Sequence, residues 1–156
     1  MATDEERSAF VERFGGALTS AGIARMPARI FAALLVDDDG RMTAAELAGS
    51  LEVSPASVSG AVGYLDGVGM VRRERVPGSR ADVFVVDDDA WHQTLLSAGA
   101  IYAPLQAALR RSVDALGTDD PAVRRLRLSL AFLDFVVEEM DGMRERWDAR
   151  VRELGI

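Results

Sequence analysis

The chain has 156 residues, a net charge of -7, an apolar share of 49% and no cysteine. This composition excludes thiol and disulfide chemistry, and it argues against disorder and against a uniformly basic nucleic-acid coat. One domain with helical extensions fits the length, and a local basic patch is compatible with the charge. The N-terminus is polar and no apolar run approaches membrane-spanning length, so we expect a cytoplasmic protein that does not contact a membrane.

Two helices are predicted at the start of the chain. Phe10 and Phe14 lie four residues apart within 5–19, as on one face of an amphipathic helix. The next helix carries Pro27 in its first turn, where proline is tolerated. The acidic run DDDG at 37–40 ends that helix. Since the later ligands of a calcium loop are missing, we expect a solvated turn here and not a cation site.

A helix-turn-helix pattern follows. Thr43 and Glu46 have the spacing of a capping box, in which each side chain accepts a hydrogen bond from the other residue's backbone. Ser54 and Pro55 then have the residue types of an N-cap and a first helical position. The buried side of this second short helix is predicted at Val58, Val62 and Leu65.

The spacing of apolar residues changes after this motif from that of a helix to that of short strands. The runs MVRRERV and ADVFVV are short and rich in β-branched residues, and the connection at 77–80 contains Pro and Gly, so we predict a β-hairpin. Alternation along the first strand puts Arg73 and Arg75 on one face and leaves Arg72 and Glu74 on the other. Three helices followed by this hairpin make a winged helix-turn-helix.

The remainder of the chain is predicted to form two long helices. The first begins near Ala90 and is expected to kink or break at Pro104, which lacks a backbone donor. The second runs over roughly 121–154, with Asp120 as its N-cap. At about 1.5 Å per residue it spans about 50 Å, longer than a domain of this size is wide, so it is expected to pack against a partner chain. A second apolar set lies beside its main stripe: Leu128, Phe132, Phe135, Val136 and Met143.

The segment TAAELAGSLEVSPASVSGAVGYLDGVGMVRRERVPGSRADVFVV resembles the winged-helix core of MarR-type bacterial transcription regulators and looks closest to their GbsR-like branch. Helical arms on both sides of the segment match as well. The resemblance implies a homodimer with interlocking terminal helices, a recognition helix in the major groove, and a wing at the minor groove or the phosphates. Many members bind a small effector between the DNA-binding and dimerisation regions, which makes such an effector a candidate further partner.

The resulting fold prediction is mainly α with a small β-hairpin wing, a winged helix-turn-helix that carries long helical dimerisation arms. We assign residues 23–88 to DNA binding, and residues 1–22 together with 89–156 to a helical dimerisation region. The positions assigned to double-stranded DNA are Thr43, Ser54, Ala56, Ser57, Ser59, Gly60, Gly63, Tyr64, Arg73, Arg75, Gly78, Ser79 and Arg80. The positions assigned to dimerisation are Phe10, Phe14, Leu126, Leu130, Leu133, Val137, Met140, Trp147, Val151 and Leu154. No metal or other cofactor is expected, because His92 is the single histidine and no cysteine accompanies it.

The predicted recognition helix departs from this family in its charge. Members often carry an arginine near the position of Gly63, whereas residues 54–69 hold no basic side chain and include Asp66. Arginine–guanine pairing is therefore unavailable from this helix, and binding would depend on the wing, dimer spacing and DNA shape. Close packing on DNA would explain Gly60 and Gly63, and so would drift in a region that no longer binds DNA.

The sequence favours a homodimeric repressor that is released by a small-molecule effector and that is not an enzyme, since no catalytic motif is visible. The alternative is a winged-helix adaptor or ligand sensor that does not bind DNA. The arginines of the hairpin fit a phosphate contact, and they also fit a solvated surface. Trp91, Tyr102 and Trp147 likewise fit an effector pocket or dimer packing.

Overall fold

The computed structural model describes residues 3–75, 81–87, 92, 98–116 and 120–155, with 98–101 described by backbone alone. The chain divides into two compact units, Met1–Trp91 and His92–Ile156. The first unit contains α1 Asp4–Ser20, α2 Arg25–Val36, β1 Arg41–Thr43, α3 Ala44–Ser50, α4 Pro55–Gly67, β2 Arg72–Arg75 and β3 Asp82–Val85. The second unit contains α5 Ala98–Leu116 and α6 Pro121–Leu154. This confirms the mainly helical fold with a small β-sheet.

The sheet has three antiparallel strands in the order β1-β3-β2, so the predicted hairpin of β2 and β3 is confirmed and gains a third strand. Met42 of β1 lies opposite Phe84, and the backbone N–H of Val86 donates to the carbonyl of Gly40 at 2.9 Å. Strand β1 is only three residues long and pairs with β3, which lies far along the chain. Local periodicity in the sequence therefore does not predict it.

The core of the first unit lies where α2, α3 and α4 meet the sheet. Its fully buried side chains include Phe31, Leu34, Leu47, Val58 and Leu65. Each of these contributes about 1.5–3 kcal/mol by leaving water, so the helix-turn-helix is held in place by its inward face alone.

Helix α1 packs against α2 within this first unit. Phe10 and Phe14 stack with ring centroids 5.3 Å apart and lie partly buried against the core. Their local role is therefore to hold α1 on the winged helix, and the assignment of residues 1–22 to dimerisation stays a prediction.

The second unit is a pair of helices joined by polar contacts. Asp134 of α6 accepts hydrogen bonds from Gln106 at 2.7 Å and from Arg110 at 2.9 Å, both on α5. The sequence predicts a kink or a break at Pro104, and the break is wrong because α5 continues through it: proline removes one backbone donor while the flanking turns keep theirs. The predicted bounds of α6 are confirmed, with Asp120 capping its first turn. Among the described residues, no helix is both long and apolar enough to cross a membrane.

Candidate nucleic-acid interface

Two capped helices position the candidate interface. The hydroxyl of Thr43 accepts from the backbone N–H of Glu46 at 3.2 Å, and the Glu46 carboxylate accepts from the Thr43 backbone at 2.7 Å. The pKa of Glu46 is lowered because its carboxylate accepts hydrogen bonds from the Thr43 backbone, which has the larger effect, and from the Thr43 hydroxyl. The predicted capping box is confirmed, and the Thr43 hydroxyl is therefore engaged within its own helix.

Helix α4 begins at the predicted cap and turns one side to the core. The Ser54 hydroxyl accepts from the backbone N–H of Ser57 at 3.3 Å, which confirms Ser54 as the N-cap. Val58, Val62 and Leu65 are buried, as their spacing predicts. The opposite side is exposed to solvent. It contains the acidic Asp66 and all the α4 residues assigned to DNA: Ser54, Ala56, Ser57, Ser59, Gly60, Gly63 and Tyr64.

The glycines on the exposed side of α4 leave open space. A Cβ added at Gly60 or Gly63 would meet no other atom within 4 Å. Packing inside the first unit therefore does not require either glycine, and the reason for them lies in a partner or in drift.

We expect Gly63→Ala to stabilise the protein by about 0.5–1 kcal/mol, because glycine inside a helix is that much less favourable than alanine. If α4 enters a DNA groove, the same methyl group weakens DNA binding. Urea denaturation and a gel-shift on one preparation measure both effects. Gly16→Ala on α1 is the control, since it also adds a methyl group in open space but far in sequence from α4. Unchanged DNA binding by Gly63→Ala would favour drift.

The arginines on the outer face of the sheet are paired with carboxylates. Arg72 donates to Asp87 through Nε at 3.1 Å and through its terminal nitrogen at 2.8 Å, and it also contacts Glu74. Glu74 accepts a further ion pair from Arg41. Arg72 is the main cause of the lowered pKa of both Glu74 and Asp87. Both carboxylates therefore stay ionised and offset the charge of this face.

Arg73 and Arg75 lie on the other face and share one carboxylate, which confirms the predicted alternation along β2. Arg73 forms an ion pair with Asp82, whose second oxygen lies 3.9 Å from Nε of Arg75. Arg73 and Asp82 line a groove of about 470 Å³ between the sheet and α4. Ser59 and Gly63 line the same groove from α4. The predicted contacts Gly78, Ser79 and Arg80 lie outside the described residues.

Three comparisons with known proteins agree with this architecture. A family model described as MmpR5-like MarR family transcriptional regulator matches residues 89–150. The HTH-type transcriptional regulator MmpR5 of Mycobacterium tuberculosis (strain ATCC 25618 / H37Rv) is 29% identical over 146 residues, which cover 91% of this chain and 88% of that protein. A crystal structure of a transcriptional regulator superposes with a TM-score of 0.77 at 28% identity, covering 92% of this chain and 98% of that one. These likenesses support a MarR-family winged-helix transcriptional regulator.

The GbsR-like branch expected from the sequence is not confirmed. The MarR-family model matches the helical part of the chain, across α5 and most of α6, whereas the resemblance noted in the sequence rests on the winged helix. The two likenesses therefore rest on different parts of the chain.

Helix α6 carries two apolar stripes with different exposure. The stripe assigned to dimerisation is half-buried from Leu126 to Val151, and within it Trp147 contacts His92 at 5.1 Å between ring centroids. Leu154 is exposed, being 51% accessible at the end of the helix. Four residues of the second set are more exposed, and the fifth, Val136, is half-buried: Leu128 is 72% accessible, Phe132 61%, Phe135 57% and Met143 47%.

Sequence reasoning missed the acidic partners of the wing. Asp82, Glu74 and Asp87 each neutralise an arginine that the sequence presented as free positive charge. One of these partners could have been predicted from the sequence, because the register of the hairpin puts Asp82 directly opposite Arg75.

Proposed function

We propose that this protein is a DNA-binding transcription regulator that presses α4 into the major groove and lays its β2–β3 wing on the phosphates. The observation that carries the proposal is the exposed side of α4. It consists mainly of serines and glycines together with Ala56, Tyr64 and the acidic Asp66, while every large aliphatic side chain of its central turns points into the core. Short side chains let a helix approach base edges closely, and the positive end of the helix dipole at its N-terminus suits a phosphate.

We further propose that two copies form the active species through the exposed stripe on α6. Large aromatic side chains in water are unfavourable, and a partner that buries them gains about 25 cal/mol per Å² of apolar area. Arg125 and Glu139 lie seven residues before and after Phe132, on the same side of the helix and exposed. An antiparallel pair centred on Phe132 brings these opposite charges together twice, as a two-fold axis requires.

The finer proposal is a repressor that a small molecule releases. Two-fold symmetry lets a dimer occupy two half-sites about one helical turn apart, which blocks a promoter that overlaps them. A cavity of about 320 Å³ in the first unit, lined by Arg7, Val11, Arg29, Ala33 and Met42, has the size of a small-ligand pocket. This cavity supports the effector part of the proposal.

The test is a gel-shift with the DNA upstream of the protein's own gene. We expect salt-sensitive retardation, and we expect Arg73→Ala combined with Arg80→Ala to weaken it at least about tenfold, with a salt dependence shallower by about two. Arg13→Ala combined with Arg25→Ala is the matched control, because it removes the same charge from exposed positions on α1 and α2. Undiminished binding by the wing variant would remove the wing from the mechanism.

A second candidate function is a winged-helix adaptor or ligand sensor that does not bind DNA. It is favoured by one observation: the described face of α4 and the wing offers little net positive charge, since α4 has no basic residue and the sheet arginines are ion-paired. An absence of DNA retardation at low salt, with a protein partner recovered by pull-down, would select this function.

A further inference from the structure

Asp82 contacts the two arginines of β2 that we assign to DNA. One of its oxygens pairs with Arg73, and the other lies 3.9 Å from Nε of Arg75. A phosphate presents the same arrangement of two oxygens to a guanidinium group. The Asp82 side chain is 23% exposed and lines the groove that faces α4, so it lies on the side of the sheet where the recognition helix lies.

We propose that Asp82 competes with DNA phosphate for Arg73 and Arg75 and thereby holds down the affinity of the wing for DNA of any sequence. This inference rests on the proposed DNA-binding function. It assigns to the carboxylate the role of a negative determinant of DNA affinity.

The physical reason lies in what the two arginines must give up on binding. In the free protein Asp82 forms an ion pair with Arg73 and lies 3.9 Å from Nε of Arg75, at the rim of a groove that also contains Asp66 of α4. A phosphate that takes over Arg73 removes that ion pair from the carboxylate and lies close to its like charge, which is repulsive at short range. The exchange therefore yields less free energy than the binding of an unengaged arginine.

The affinity for non-specific DNA measures this competition most directly, because phosphate contacts supply essentially all of that affinity. The experiment measures fluorescence anisotropy of a labelled random-sequence duplex with the full chain over a series of salt concentrations. The variants are Asp82→Asn, which keeps the shape of the side chain, and Asp82→Thr, which keeps β-propensity if the asparagine variant folds poorly. Asp148→Asn on α6 is the control, because it changes the net charge equally at an exposed position.

We expect Asp82→Asn to bind about tenfold more tightly at about 50 mM salt and to steepen the salt dependence by about one, as one additional phosphate contact does. The gain should vanish when Arg73→Ala is added, since the released arginine is then missing. A purely structural role for Asp82 would weaken binding and leave the salt dependence unchanged.

Each outcome decides the inference. Binding by the wild type with no greater gain for Asp82→Asn than for Asp148→Asn overturns the role of Asp82 and leaves the proposed function standing. Binding by Asp82→Asn where the wild type fails supports it, because the carboxylate then silences the wing. If neither the wild type nor either Asp82 variant binds DNA at low salt, the proposed function is overturned, and this inference with it.

Discussion

Replacing Phe132 and Phe135 together with glutamate is expected to turn a dimeric protein into monomers. Both rings lie on the exposed stripe of α6, where they are 61% and 57% accessible in a single chain. Carboxylates at the centre of an apolar interface would be buried without partners, and truncation of such central aromatic residues commonly costs more than 2 kcal/mol each. Because these side chains are exposed in the single chain, the variant keeps its fold.

The loss of dimerisation should also weaken DNA binding by at least about 100-fold, because two linked half-sites gain that much over one. Sedimentation equilibrium gives the mass and a gel-shift gives the affinity. Arg127→Glu is the control, since it lies about 140° around α6 from Phe132 and adds negative charge on a different side of the same helix. A double variant that stays dimeric would exclude this stripe from the interface. It would favour the other stripe of α6, which contains Leu126, as the dimer surface.

Gly40→Ala is expected to destabilise the first unit by about 3 kcal/mol. Gly40 has φ +64°, a left-handed conformation that costs a residue with a Cβ about 1 kcal/mol or more. A Cβ at this position would also lie 2.7 Å from the carbonyl oxygen of Val86. Because the backbone N–H of Val86 donates to Gly40, moving the chains apart breaks the hydrogen bond that seats β1 beside β3.

Urea denaturation measures this effect, and Gly22→Ala provides the comparison. Gly22 also has a positive φ of +104°, but a Cβ there meets open space, so its variant reports backbone strain without the collision. We expect the Gly40 variant to lose distinctly more stability than the Gly22 variant. Equal losses would show that the contact with Val86 has no energetic role.

The helix-turn-helix could be predicted from sequence because its signals are local. The capping residues Thr43, Glu46 and Ser54 lie within three residues of their partners, and the apolar spacing of α4 identifies its buried face without reference to the rest of the chain. The start of α6 could be predicted for the same reason, from Asp120 as its N-cap.

The features that sequence could not supply depend on contacts between distant residues. Strand β1 exists because Met42 meets Phe84, and the charge of the wing is set by Arg73 meeting Asp82. The two stripes of α6 were both visible in the sequence, but which one remains exposed depends on how α5 packs, and Asp134 is the residue that receives α5. Long-range pairing therefore decides the electrostatics of the interface and the choice of dimer surface.

The central proposal is that a pair of chains presents two α4 helices to a single DNA duplex. Selection of bound fragments from a random DNA pool, followed by sequencing, tests it most directly. We expect an enriched inverted repeat whose half-sites lie about one helical turn apart, with the repeat lost in the Phe132 and Phe135 double variant. Enrichment of no motif at low salt, or of a single unrepeated half-site, would contradict it.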